Sequence, residues 1–98
     1  MNRCILTLIA LPAMEDELID WLLSKQSISG FTSQSAHGHG SNHAMSLAEQ
    51  VAGRRKQIAF LIELDQPLAD NIIRELKNDF SGTGLHYWLS PLLKSGTI

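Results

Sequence analysis

Apolar residues occupy both alternating positions in two stretches of the chain, residues 4–11 and 57–64. Stretches that are apolar on both sides are typical of central strands of a sheet. After each of them the apolar spacing follows the helical period, over about residues 13–25 and 65–80, and Pro67 stands at an early position of the second helix. Weaker strand patterns cover residues 28–36 and the stretch from His86, which Pro91 limits.

The order of these elements, β-α-β-β-α-β, predicts a ferredoxin-like α+β fold: a four-stranded antiparallel sheet with two helices on one face. Two helices cover only one face of such a sheet, yet Ile5 and Ile9 alternate with Leu6 and Leu8. The uncovered face would be a large apolar patch, which monomers rarely tolerate. We therefore expect a homo-oligomer in which copies of the chain cover one another's sheets.

The composition is that of one small globular domain, residues 1–98, with 44% hydrophobic and 18% charged residues. A net charge of −2 gives no field that would attract nucleic acid, and the single cysteine, Cys4, excludes an internal disulfide. No apolar run approaches the length of a membrane span. Proline at position 12 argues against a signal-peptide cleavage site, so we expect a cytoplasmic protein without membrane insertion.

The sequence contains two glycine pairs, Gly38-His39-Gly40 after the second strand pattern and Gly82-Thr83-Gly84 before the last one. With the element order and the stretch 28–32 that enters a long loop, they make the chain similar to the P-II-like superfamily of trimeric signalling proteins. That superfamily includes the nitrogen-regulatory P-II proteins and the CutA-type cation-tolerance proteins. The chain looks closest to the small P-II-like proteins encoded beside heavy-metal efflux systems.

This resemblance implies a non-enzymatic regulator that trimerises through the sheet face opposite the helices. It also implies a long flexible loop, here at about residues 35–53, that contacts a target protein such as a transporter or a metal-efflux component. Ligand occupancy would order the loop, and the ordered loop would have a different affinity for the target protein.

The resemblance also implies a ligand cleft between subunits, built here from the glycines and from the basic cluster of residues 54–56. The residues it points to are Gly38, Gly40, Arg54, Arg55, Lys56, Gly82 and Gly84. The alternative for the basic cluster is a solvated strand end that discourages edge pairing. P-II proteins bind ATP with a lysine after the second glycine pair and basic residues near the C-terminus; here Leu85 stands in the lysine position and the tail offers only Lys94. We therefore expect weak ATP binding.

Three of the four histidines, His37, His39 and His43, lie within seven residues. Neutral imidazole is a common ligand for divalent transition metals, and Met45 or Cys4 nearby would favour copper(I). The histidines are therefore candidate metal ligands, and a CutA-like metal-binding protein is the alternative function. The other interpretation is a flexible polar loop whose histidines contact a partner protein.

Catalysis has little support in the sequence. Cys4 lies in a predicted central strand, where a thiol is usually inert, and no serine stands in a nucleophile elbow. An RNA-recognition module would need aromatic and basic residues on its central strands, and residues 58–64 contain no basic residue and a single aromatic one, Phe60. We expect no enzyme, and we expect Trp21 and Trp88 to be core or interface residues.

Overall fold

The computed structural model describes residues 2–40 and 54–98. Within them the order of elements is as predicted, with two α-helices and four strands. The elements are β1 (Arg3–Ala10), a 3₁₀ turn (Pro12–Met14), α1 (Glu15–Leu23), β2 (Thr32–Gly38), β3 (Arg55–Asp65), α2 (Gln66–Asp79) and β4 (His86–Pro91). The strands form one sheet in the order β2-β3-β1-β4, and every neighbouring pair is antiparallel. The ferredoxin-like prediction is confirmed.

The two central strands place their even-numbered residues under the helices. Leu6 lies opposite Ile62 and Leu8 opposite Phe60, and all four side chains are fully buried. Leu18 of α1 and Ile72 and Leu76 of α2 close this core from above. The odd-numbered residues of β1 and β3 point to the other side of the sheet, which we call the open face. The predicted division of the strands between two faces is therefore confirmed.

Helix α1 begins later than the sequence period suggested. Pro12 opens a 3₁₀ turn, closed by the amide of Met14 donating to the carbonyl of Leu11 at 2.9 Å, and the α-helix follows from Glu15. The helix ends at Leu23, so Lys25 lies beyond it rather than on its periodic face. Acidic residues fill the first turn, where the helix dipole favours them.

Trp21 joins the two helices at their outer ends. Its indole Nε1 donates to Asp79 Oδ2 at 2.8 Å, and its ring meets Phe80 edge to face with centroids 5.8 Å apart. Lys25 Nζ lies 4.3 Å from the centroid of the Trp21 ring and 3.0 Å from Glu75 Oε1. These contacts fix α1 against α2, so Trp21 has the structural role that was predicted for it.

Strand β2 is displaced along the chain from its predicted position. The pattern suggested residues 28–36, with the loop starting near residue 35; the strand instead runs from Thr32 to Gly38. Ile28 and Phe31 pack against the core from the connecting segment, and the amide of Ile28 closes a turn onto the carbonyl of Lys25. Because β3 begins at Arg55, it offers pairing partners as far as Gly38. The first four residues of the predicted loop, 35–38, therefore belong to β2, and two residues of the basic cluster that follows the loop, Arg55 and Lys56, belong to β3.

The residues after β4 turn onto the open face at the end of the sheet where β1 begins. The amide of Leu92 donates to the carbonyl of Arg3, and Ser95 Oγ donates to Glu63 Oε1 at 2.7 Å. Arg3 also bridges Glu63 and Asp65 at 3.0 and 2.9 Å. The Ser95 hydroxyl, followed by the Arg3 guanidinium, lowers the pKa of Glu63 below its usual value. Neither helix of the described residues is long and apolar enough to span a membrane.

Candidate functional site

The β2–β3 hairpin extends past the end of β1. Pairing of β1 with β3 stops at Ala10 and Ile58, whereas β2 continues along β3 to Gly38 opposite Arg55. The three residues 55–57 and their β2 partners therefore project beyond the rest of the sheet. Between this projection and the turn that precedes β4 lies a cleft of about 670 Å³. The hairpin that forms one wall leads directly into residues 41–53, which lie outside the described part of the chain.

Backbone and side chains from all four strands line this cleft. Its larger apolar lining residues are Ile9, Leu11 and Trp88. The remaining lining residues are Ala10, Ala36, His37, Gly38, His39, Gly40, Arg55, Gln57, Thr83, Gly84 and His86.

The β4 wall is a turn that only glycine forms without strain. Gly82 and Gly84 have φ angles of 77° and 82°, in the left-handed region. Between them, the Thr83 hydroxyl donates to the carbonyl of Phe80 at 2.7 Å and accepts from the amide of Leu85 at 3.3 Å. The side chain of Leu85 packs against the core and does not line the cleft. Leu85, at the position where the resemblance implied a lysine, is thus apolar and gives the cleft no cationic group.

In the β2–β3 hairpin, which forms the other wall of the cleft, the side-chain amide of Gln57 lies against the backbone of Gly38. A Cβ placed on Gly38 would lie 2.6 Å from Gln57 Oε1, so the Gln57 side chain lies across this glycine. Gly40, with a φ of 139°, follows where the hairpin leaves the sheet. The missing side chain at Gly38 therefore makes room for Gln57, whereas a Cβ at Gly40 would meet no atom within 4 Å and the exposed backbone of Gly40 is accessible to a ligand.

The structure brings most of the predicted ligand residues to this one cleft. Gly38, Gly40, Arg55 and Gly84 line it, whereas Gly82 lines a neighbouring groove. Arg54 and Lys56 are exposed and do not line the cleft. Arg55 is therefore the one arginine or lysine among the described residues that lines the cleft.

Two of the three predicted metal ligands are also found here. His37 and His39 line the cleft, and His43, like Met45, lies outside the described residues. Within residues 2–40 and 54–98, no group of three His, Cys, Asp or Glu side chains is placed to hold a metal ion. Cys4 is 4% exposed at the other end of β1, opposite Leu64, and is therefore remote from the histidines.

Three residues that line the cleft were not among the predicted cleft residues: Gln57, His86 and Trp88. His86 and Trp88 alternate along β4 on the open face, and their rings meet edge to face with centroids 5.7 Å apart. Trp88 is 47% exposed, which leaves its ring available for stacking or for covering by another chain. The signal in the sequence was the alternation of His86, Trp88 and Ser90 on one face of a strand.

The lining of the cleft combines aromatic and apolar side chains, glycine backbone and a single guanidinium, that of Arg55. Such a site suits a small ring-bearing ligand with a compact anionic group. A smaller groove of about 280 Å³ lies on the helix side, between α2 and β4, where Lys77 Nζ approaches the Tyr87 ring to 5.5 Å. That groove does not touch the hairpin that leads into residues 41–53.

Comparison with known proteins places the whole chain in a family. Residues 1–98 match the family described as "Protein of unknown function (DUF3240)". No match is found among curated proteins.

Solved structures give the fold. A DUF3240 family protein from Shewanella baltica OS155 is similar with a TM-score of 0.80 and 21% identity, over 100% of this chain and 98% of that one. CPII is a nitrogen regulatory PII-like protein from Thiomonas intermedia K12, bound to ADP, AMP and bicarbonate. Its structure is similar with a TM-score of 0.72 and 16% identity, over 100% of this chain and 98% of that one. The GlnK-ATP complex of B. subtilis is similar with a TM-score of 0.64 and 15% identity, over 94% of this chain and 85% of that one. The chain therefore belongs to the DUF3240 family, and its fold is that of the PII-like proteins.

Proposed function

We propose that this protein is a P-II-like regulator, not an enzyme, which binds a small ligand in the cleft and acts on a partner protein through the segment between β2 and β3. The observation that carries the proposal is the position of the cleft. One of its walls is the projecting hairpin, and both strands of that hairpin lead into residues 41–53.

Ligand binding at this place would control the segment from both of its ends. Gly38 and Gly40 stand at its entrance and Arg55 at its exit, and all three line the cleft. A ligand that contacts them in one conformation of the segment, and not in another, shifts the balance between the two. The partner protein then reads the conformation, because the two conformations offer it different contacts.

For the ligand we propose an adenine nucleotide of low charge. The T. intermedia protein is bound to ADP, AMP and bicarbonate, and the B. subtilis protein to ATP. In this chain Leu85 is turned into the core, and Arg55 is the one permanently charged cation that lines the described cleft. Each further phosphate would lack a cationic partner. We therefore expect ATP to bind with a dissociation constant in the high micromolar range or above, and AMP to bind no more weakly than ATP.

We further propose that the protein is a cytoplasmic homotrimer whose open faces come together. The open face carries Ile5, Ile9, Leu61 and the half-exposed Trp88, an apolar surface that no helix of the described residues covers. Copies of the chain would remove this surface from water. A transporter or a metal-efflux component remains the partner that we propose for the segment, in line with the predicted relation to proteins encoded beside metal-efflux systems.

The metal-binding function stays a prediction without a supporting arrangement of ligands in the described residues. Its test compares the native chain with the three-histidine variant, in which His37, His39 and His43 are all replaced by alanine.

The nucleotide proposal is tested by calorimetric titration of the native protein with AMP, ADP and ATP at fixed ionic strength. The test variant is Arg55→Ala, and Arg74→Ala is the matched control because it removes an exposed arginine of α2 that lines neither the cleft nor the neighbouring groove. We expect Arg55→Ala to weaken nucleotide binding about tenfold or more, because it removes a charge-assisted contact with phosphate. Equal affinities for the two variants would contradict the placement of the ligand, and low-micromolar ATP binding by the native protein would contradict the proposed selectivity.

A further inference from the structure

The carboxamide of Gln57 differs from the other polar side chains of the cleft. It is half-buried, and no described residue donates a hydrogen bond to it or accepts one from it. The hydroxyl of Thr83, by contrast, already donates and accepts within the turn before β4. Arg55 offers only donors, and a neutral imidazole carries its donor and its acceptor on two separate ring nitrogens. Gln57 is therefore the one side chain lining the described cleft that presents a free donor and a free acceptor side by side.

Gly38 provides the space in which this carboxamide lies. A Cβ on Gly38 would come within 2.6 Å of Gln57 Oε1, 2.7 Å of Cδ and 2.8 Å of Nε2, distances that a real Cβ atom does not keep. Among the described residues only Gly40, Gly82 and Gly84 have a positive φ, so the φ of Gly38 lies outside the left-handed region. The backbone at position 38 does not require glycine, whereas the carboxamide that lies across it does.

Strand pairing places Gln57 between the charged and the apolar parts of the cleft. Arg55 and Gln57 are two residues apart on β3, so they point to the same face and lie about 7 Å apart along the strand. Pairing of β1 with β3 begins at Ile58, the next residue, and Ile9 of β1 lines the cleft there. A ligand whose anionic group meets Arg55 and whose ring meets the apolar lining would therefore bring its neutral polar part to Gln57.

We infer that Gln57 selects the ligand of the cleft by hydrogen bonds to its neutral part, and that Gly38 is the residue that positions Gln57 for this contact. The inference rests on the nucleotide ligand of the proposed function, and it adds the residue that recognises the nucleoside. Two groups of an adenine nucleotide offer a donor beside an acceptor to a carboxamide: the ribose hydroxyls, and the edge of the base, where an amino group stands beside a ring nitrogen. Two analogues of AMP distinguish these groups.

Calorimetric titration with AMP, 2′-deoxy-AMP and purine riboside monophosphate tests the selection. The first analogue lacks one ribose hydroxyl, the second lacks the amino group of the base, and all three ligands carry the same phosphate. We expect the native protein to bind one of the two analogues about three- to tenfold more weakly than AMP, the effect of about one neutral hydrogen bond. Equal native affinities for all three ligands would overturn the inference.

Gln57→Leu keeps a side chain of similar size and removes both hydrogen-bonding groups. This variant should bind AMP and the disfavoured analogue equally, because the group that distinguished them is gone. A merely structural change would instead weaken both ligands and keep their ratio. Discrimination that persists in Gln57→Leu would therefore overturn the inference.

Two control variants should keep the discrimination. Gln26→Leu makes the same exchange at an exposed glutamine that lines neither the cleft nor the neighbouring groove. Arg55→Ala should weaken all three ligands by one common factor, because they share the phosphate that Arg55 would contact. Loss of discrimination in either control would contradict the role assigned to Gln57.

Gly38→Ala tests the positioning role. The added methyl group must displace the carboxamide, which is the movable end of a flexible side chain, so this variant should fold and lose the discrimination. In a Gln57→Ala background, where no carboxamide lies across position 38, Gly38→Ala should have no further effect on the affinity for AMP. A further loss in that background would show that residue 38 affects the ligand directly, and would overturn its positioning role.

The outcomes separate this inference from the proposed function. A native protein that binds none of the three ligands at millimolar concentration would overturn both. AMP binding that is weakened by Arg55→Ala, together with unchanged discrimination in Gln57→Leu, would overturn the selection by Gln57 alone and leave the proposed ligand in place.

Discussion

Replacing Gly84 by alanine tests whether the turn that forms one wall of the cleft has the backbone described here. Gly84 has a φ of 82°, and a Cβ added to it would meet no atom within 4 Å. The cost of the substitution is therefore backbone strain alone, without a steric clash. For an L-residue in the left-handed region this strain is about 1–2 kcal/mol.

Gly30→Ala is the matched control. A Cβ at Gly30 also meets no atom within 4 Å, but the φ of this residue lies outside the left-handed region. Alanine restricts the unfolded chain equally at both positions, a gain of about 0.4–1 kcal/mol, which cancels when the two variants are compared. The free energies of unfolding should then differ by the strain itself, about 1–2 kcal/mol, with Gly84→Ala the less stable protein.

The assay is urea unfolding followed by circular dichroism, with all proteins at the same concentration because the stability of an oligomer depends on it. A thermal melt should show the same order, at about 4–8 °C per kcal/mol for a domain of this size. If Gly84→Ala were as stable as Gly30→Ala, Gly84 would not adopt the left-handed conformation. The backbone described for the turn before β4, which forms one wall of the cleft, would then be wrong.

Three other predictions concern the core, the pH dependence and the histidines. Leu22→Ala should destabilise the protein by about 2–5 kcal/mol because Leu22 is fully buried, whereas Leu23→Ala, one residue later and 68% exposed, should change the free energy of unfolding little; similar losses in urea unfolding would contradict the orientation of α1. Hydrogen bonds from the Trp21 indole and, to a smaller extent, from Asn78 lower the pKa of Asp79 below 3.8, so the ionised carboxylate stabilises the fold above that pH and this contribution is lost as the pH falls through the folded pKa. Asp79→Asn should therefore make the free energy of unfolding depend less on pH at the acid end. An unchanged pH dependence would contradict this prediction. The three-histidine variant should lose any Zn²⁺ or Cu²⁺ binding that the native chain shows at pH 7.5, and equal titration curves would exclude these histidines as the site.

The central strands could be predicted because their pattern is a direct consequence of burial. A strand whose alternate residues face two different environments has only one register that keeps Leu6 and Leu8 under the helices. The β2 strand could not be placed in the same way. Ile28 and Phe31 carry the apolar signal, but they pack into the core from the connecting segment, while the strand itself is polar and is held by pairing with β3.

The part of the candidate site that could be predicted came from short patterns in the sequence. The glycine pairs pointed to Gly38, Gly40 and Gly84, of which Gly40 and Gly84 have φ angles that favour glycine. The basic cluster and the histidine cluster pointed to Arg55, His37 and His39, which also line the cleft. Gln57 and Trp88 carry no such signal. They reach the cleft because strand pairing brings the ends of β1, β3 and β4 to the same end of the sheet, and the sequence does not state which residues are paired.

Hydrogen–deuterium exchange with and without AMP tests most directly whether the cleft controls the segment between β2 and β3. The comparison uses the native protein and the Arg55→Ala variant, each at AMP concentrations that saturate the native protein. We expect AMP to slow exchange in peptides covering residues 38–55 of the native protein, and to have little effect on the same peptides of Arg55→Ala. Protection confined to the groove between α2 and β4, or no protection of residues 38–55 when calorimetry shows that AMP is bound, would contradict a ligand that acts through this segment.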